Sequence, residues 1–191
     1  MRAAVPQCRT VSIHTFRGNR AALGRRVRKA LDDEMNGVGP GPSRLDCLLY
    51  TGHTGVSTDS DSVIYGFNPD FGQLPIWQGM QLLRNGDAFP GIVVDDTQVF
   101  AEARKHRLTV QTFDVILPDQ PAFQDFERKL TAERKKRKSR YTYGFPNGDG
   151  DCNCTTWLER LGLPLLSGSM DEFTGLPGFR MYPRRRFGQC L

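Results

Sequence analysis

The stretch GDGDCNCTTWLERLG, residues 148–162, sets Cys154 directly after Asn153 and just ahead of Thr155, Thr156 and Trp157. The Gly, Asp and Asn residues before it make a turn, and the apolar run begins only at Trp157. A structural thiol belongs inside an apolar run. This one is expected at the first turn of a helix, where it emerges from a polar loop. Helix N-termini present unsatisfied N–H groups and the positive end of the macrodipole, and both favour a thiolate, the reactive form of cysteine. A nucleophilic role then requires a base.

The chain has three histidines. His14 lies within an alternating strand, and His106 ends a charged helix, where a cation suits the dipole. His53 is different. In YTGHTGVSTDSDSVIYGF, residues 50–67, it is flanked by Gly52 and Gly55, and the chain then returns through a polar turn as a second strand. Glycines beside a strand residue mark the close approach of another backbone or a ligand. His53 is therefore the best partner for Cys154, its alternative being a hydrogen-bonded core histidine.

Working outward, CRTVSIHTF (8–16) reads as a strand. NRAALGRRVRKALDDEM (19–35) reads as an amphipathic helix with Asn19 as N-cap. LDCLLYTGHTGVS (45–57) is expected as one long strand, or a pair bent at a glycine-flanked kink, with Cys47 in the core. DSVIYGFNP (61–69) is its hairpin partner, and a short helix is expected near Met80–Arg84. A strand over 91–96 leads into a helix over 97–106 capped by Thr97 or Asp96, then a strand over 108–118 and a helix over 121–139. The predicted architecture is one α+β domain over 1–191, an antiparallel sheet flanked by helices. Residues 1–44 are a candidate strand–helix extension, and 163–191 an irregular Pro/Gly-rich C-terminal segment.

The formal net charge is +5, concentrated in RKLTAERKKRKSR (128–140) and YPRRRFG (182–188). The first run continues an amphipathic pattern from Phe123, Phe126 and Leu130, so it reads as a solvated helix face. It also suits an acidic protein partner or inhibitor. Nucleic acid is disfavoured as the main ligand because no zinc-finger or RNA-binding signature accompanies the charge. Mean hydropathy is −0.47, and no apolar run is long enough to span a membrane. The polar start is unlike a secretory signal, which predicts a chain that is cytoplasmic as synthesised, with signal-independent export left open.

Five cysteines are an odd number, without the density of a disulfide scaffold. Cys152 and Cys154 form Cys-x-Cys but lack the second pair that a structural zinc site uses, so no metal or cofactor is expected. A zinc site completed by Cys47 and His53 is the alternative. Cys8 is expected in the core and Cys190 in an exposed tail.

The order of these motifs carries a resemblance. A strand with GHTGVS, a following strand with VIYGF, and later Tyr141-x-Tyr143 and Asn153-Cys154-Thr-Thr-Trp opening a helix resemble the circularly permuted papain-like superfamily. That group includes permuted NlpC-type amidases, the lecithin retinol acyltransferase group and PPPDE-type isopeptidases, in which the histidine strand precedes the cysteine helix. The resemblance spans residues 45–162. It implies that Cys154 attacks a carbonyl and that His53 takes the thiol proton. It also implies a polar residue orienting the histidine, for which Asn68, Tyr65, Asp59, Asp61 and Asp114 are alternatives. Asp114 reads as solvent-facing by simple alternation. The Cys154 N–H is the first oxyanion donor, with Tyr143, Tyr50 or Asn153 as the second.

Implied substrates are a peptidoglycan peptide, an isopeptide or other protein bond, or a glutamine side chain or acyl group, as in deamidases and acyltransferases. A compact catalytic domain of this kind suits a delivered bacterial effector or toxin. The competing reading is a non-catalytic basic module, with the 121–139 helix and Arg184–Arg186 contacting nucleic acid or an acidic surface.

Overall fold

The computed structural model describes residues 9–59, 61–117, 119–144 and 150–163. Cys8, Cys190, the arginines at 184–186 and the chain after Leu163 lie outside them.

Strand β1 (Thr10–Arg17) alternates between half-buried and buried positions, and helix α1 (Arg20–Met35) follows. Asn19 caps that helix, its side chain accepting from the Ala22 N–H at 2.8 Å. Strand β2 (Gly52–Thr58) and strand β3 (Asp61–Pro69) form the expected hairpin. Helix α3 (Ile76–Asn85), strand β4 (Phe89–Asp95), helix α4 (Thr97–Lys105) and strand β5 (Val110–Ile116) come next. Helix α5 (Gln120–Arg134), the two-residue β6 (Thr142–Tyr143) and the short α6 (Thr156–Arg160) complete the described chain.

The strands build one six-stranded antiparallel sheet in the order β5-β1-β2-β3-β4-β6. β1 therefore lies inside the sheet, between β5 and β2. Alternation sends side chains to two helical layers. On one face Val11, Ile13, Val56 and Phe67 pack with Phe123, Phe126 and Leu130 of α5 and with Trp157, Leu158 and Leu161. On the other, Phe16 and Ile64 pack with Leu23 of α1, Leu49, and Val99, Phe100 and Ala103 of α4. The chain is thus α+β, with helices on both faces of the sheet.

Three segments differ from the sequence expectation. Residues 45–51 are not strand: Arg44–Thr51 is a helix, here α2. Ser43 caps it by accepting from the Asp46 N–H at 3.1 Å, and the Ser43 hydroxyl donates back to the Asp46 carboxylate at 2.7 Å. Leu45, Leu48 and Leu49 then fall on one helical face against the second core. Gly52, at φ 95°, ends the helix in a conformation that side chains rarely adopt. Cys47 consequently sits half-buried on a helix rather than in a core strand. Helix α5 stops at Arg134 instead of 139, because buried Glu133 draws the following residues into a turn. The helix expected near Met80–Arg84 extends from Ile76 to Asn85.

Candidate active site

Cys154 precedes α6 rather than lying within it, and Asn153 makes the turn. The Asn153 side-chain oxygen accepts from the N–H groups of Thr155 and Thr156 at 2.9 and 3.0 Å, and its carbonyl accepts from the Trp157 N–H at 2.9 Å. These bonds satisfy donors that the start of a helix leaves orphaned. Trp157 pins the helix by stacking on Phe67, with centroids 5.5 Å apart. Thr155 and Thr54 share a hydroxyl contact at 3.2 Å, which ties the turn to β2. A helix this short contributes little macrodipole. The electrostatics at Cys154 come mainly from side chains.

His53 occupies the open end of the hairpin. The β2–β3 ladder begins at Gly55↔Gly66, so His53 and Asn68 lie beyond it. Cys154 belongs to the core on one face, whereas His53 contacts Phe100 on the other. The two meet where the ladder has ended, and both are buried.

The residue that holds His53 is Asp96. His53 Nε2 donates to Asp96 Oδ2 at 2.8 Å, and Asn68 Nδ2 donates to the same oxygen at 2.9 Å. The second carboxylate oxygen, Oδ1, pairs with the Arg44 guanidinium at the start of α2. Asp96 stands at the N-cap position of α4, yet its side chain makes no cap bond. Asp95 supplies the local turn bond instead, accepting from the Thr97 N–H at 2.9 Å. Gly66 leaves the space this pair needs, since a Cβ there would lie 1.9 Å from Asp96 Oδ2 and 2.3 Å from His53 Nε2.

Burial alone would lower the His53 pKa, but the Asp96 charge and hydrogen bond outweigh it. The thiol of Cys154 adds a hydrogen bond and its charge, and the result is pushed up to about 9. Burial pushes the Asp96 carboxyl up, and His53, Arg44 and Asn68 together hold it below the usual carboxylate range. The ring's Nε2 is committed to Asp96, which leaves Nδ1 for the thiol. Tyr143 is held well above the ordinary tyrosine value, first by burial and then by the charge and hydrogen bond of Cys154. Its hydroxyl therefore stays protonated and acts as a donor beside the sulfur. Cys152 is bound into the backbone against β6, and burial followed by Asp151 pushes its thiol to about 12, a value that leaves it inert.

Among the sequence candidates, His53, Cys154, Asn68, Tyr143 and Asn153 come together. The others do not. Tyr65 directs its hydroxyl to Asp61 at 2.8 Å, and Arg134 covers its ring at 3.8 Å. Asp114 accepts from the Ser12 hydroxyl at 2.7 Å on the edge strand β5, two strands away from His53, and Asp59 meets the Thr10 N–H at 3.3 Å. Tyr50 lies on α2 beneath Arg20. Asp96 and Arg44 were missed as site residues. The available signal was the Asp95-Asp96 pair before Thr97, where one acid suffices for the turn and the other is spare.

Among the described residues no group of three His, Cys, Asp or Glu side chains is placed to hold a metal, and no helix is long and apolar enough to cross a membrane. A groove of about 510 Å³ opens at the turn before α6, lined by Gly144, Gly150, Cys152, Asn153, Glu159 and Arg160, with the buried Cys154 behind Asn153 in the chain. Comparisons with protein-family models, curated proteins and solved structures returned no match.

Proposed function

We propose that this chain is a cysteine-dependent hydrolase that cleaves amide bonds through a thioester on Cys154, in the arrangement of the circularly permuted papain-like enzymes it resembles. The observation that carries this reading is the buried His53–Asp96 pair at 2.8 Å, with Cys154 as the ring's other polar neighbour. Asp96 holds the proton on Nε2 and so presents Nδ1 to the sulfur, the orienting role a buried acid plays beside a catalytic histidine.

The chemistry follows from those positions. Nδ1 takes the Sγ proton and the thiolate attacks the carbonyl carbon. The imidazolium then protonates the departing amine as the C–N bond breaks. Water, deprotonated by His53, attacks the thioester, releases the acid and restores the thiol. The Cys154 N–H, which donates to the Tyr143 oxygen in the resting site, and the Tyr143 hydroxyl are the donors a substrate oxyanion would recruit, and burial strengthens both. Interception of the thioester by another nucleophile gives acyl transfer, and loss of ammonia from a glutamine side chain gives deamidation on the same dyad.

The test uses p-nitrophenyl acetate, a small activated ester. The expected result is a burst of nitrophenolate with an acetyl group on Cys154, located by mass spectrometry. Cys154→Ser should abolish it and His53→Ala should slow it about 100-fold or more. Alkylation of Cys154 by iodoacetamide, faster than that of Cys47 and slowed in His53→Ala, checks the pairing of thiol and imidazole with a second small probe. An adduct on Cys47 or Cys152, or a burst indifferent to His53, overturns the reading.

A further inference from the structure

Residues 134–140, Arg-Lys-Lys-Arg-Lys-Ser-Arg, hold six cations and no acid. A run of like charges repels itself and ordinarily stays solvated. Here it is folded. Glu133, 1% exposed, accepts from the Ser139 hydroxyl at 2.5 Å and from Lys136 at 2.9 Å, and pairs with Arg140 at 3.2 Å. The Ser139 N–H donates to the Gly91 carbonyl at 2.7 Å, which fixes the turn beside β4. Arg134 is occupied by Tyr65 and Asp61, and Arg140 also lies over Tyr141. Lys135, Arg137 and Lys138 are exposed and have no side-chain partner among the described residues.

The turn runs straight into the catalytic region. Tyr141 pairs with Gly91 through its carbonyl at 3.0 Å, and Tyr143 stands beside Cys154. Tyr143 follows Lys138 by five positions, a span of at most roughly 17 Å. Building on the hydrolase reading, we propose that this turn docks an acidic stretch of a polypeptide substrate, within a few residues of the bond presented to Cys154. Nucleic acid fits less well. Three free cations fall short of the roughly 6–10 phosphate contacts typical of such binding, and the one aromatic ring in the turn's path, Tyr141, is covered by Arg140.

The experiment measures binding of a fluorescein-labelled hexaglutamate peptide to the full-length Cys154→Ser chain at low salt. The triple variant Lys135→Ala/Arg137→Ala/Lys138→Ala should weaken binding at least fivefold. Arg25→Ala/Arg28→Ala/Arg84→Ala, which removes the same charge from other exposed positions, should change it less than twofold. An oligonucleotide of equal charge should bind more weakly than the peptide. Equal losses in both triples, absence of binding, or preference for the oligonucleotide each overturn the proposal. Peptide binding without acetylation of wild-type Cys154 would remove the hydrolase reading and leave an acidic-polypeptide binding surface.

Discussion

His14 and His53 stand on neighbouring strands and press on the same ring, with centroids 5.8 and 6.0 Å from that of Phe100. Their other partners differ. Among the described residues the hydrogen-bond partners of His14 are hydroxyls, Thr112 at 3.1 Å and Ser57 at 2.8 Å. Burial and then Arg104 lower its pKa, with Asp114 opposing. His53 is more deeply buried, and burial is again the largest single influence, yet the Asp96 carboxylate reverses the outcome and raises it to about 9. A full charge at hydrogen-bond distance in a dry site outweighs desolvation, and two neutral hydroxyls do not. One histidine is a satisfied polar residue of the sheet. The other is set up to hold a proton at neutral pH.

The largest expected effect breaks the partner that separates them. Asp96→Ala leaves the Arg44 guanidinium and the Asn68 amide facing an empty site, and loss of one member of a buried charged network costs about 3–5 kcal/mol, measurable by urea unfolding. Asp96→Asn keeps the shape but removes the charge and disturbs the ring's tautomer. Acetylation of Cys154 should then fall by roughly 10²–10⁴-fold while His14→Asn changes it little. Equal sensitivity at both histidines would erase the distinction.

The next effect is a pair of opposite pH dependences. The folded pKa of His53 lies above the ordinary value of 6.5, so its contribution to stability is fully present below about pH 6.5 and is lost as pH rises through about 9. The folded pKa of His14 lies below the ordinary value, so its contribution is present above about pH 6.5 and is lost as pH falls. Urea midpoints between pH 5 and 10 should flatten on the alkaline side in His53→Gln and on the acid side in His14→Gln. The same loss of the imidazolium predicts a fall in acyl transfer to Cys154 above about pH 9.

The smallest effect makes the two alike. Ser57 accepts or donates at His14 Nε2, so Ser57→Asp places a carboxylate where His53 has Asp96. The His14 pKa should rise by about one unit, read by NMR of the imidazole carbons. A His14 that stays lowered would show that burial and Arg104 outrank a neighbouring acid at this site.

Parts of this arrangement are legible in the sequence. Alternation in 10–17 and the Asn19 cap identify β1 and α1, and the TDSD turn between two β-rich runs identifies the β2–β3 hairpin. The polar turn before Cys154 was legible because Asn153 uses its side chain locally. Helix α2 reads as strand in the sequence because Leu48, Leu49 and Tyr50 next to the glycines of β2 look like one apolar run. Its Ser43-x-x-Asp46 cap was the overlooked signal. The end of α5 was misread for the opposite reason: helix propensity continues through the lysines, and only the buried Glu133 turns the chain.

The sequence by itself determined which residue types were on offer: a cysteine at a capped turn, a histidine between glycines, and several acids on turns and strands. Turn chemistry and periodicity are local, and they reach only a few residues along the chain. Which acid meets the histidine was decided by tertiary structure. His53 and Asp96 lie 43 residues apart, and Arg44 and Asp96 lie 52 apart. They meet because β4 pairs with β3 in the register Tyr65↔Asp95, which sets Asp96 opposite Ile64, its N–H on the Ile64 carbonyl, and lets its carboxylate reach over Gly66 to the histidine ring. No local preference encodes that register. It follows from burying both faces of the sheet at once.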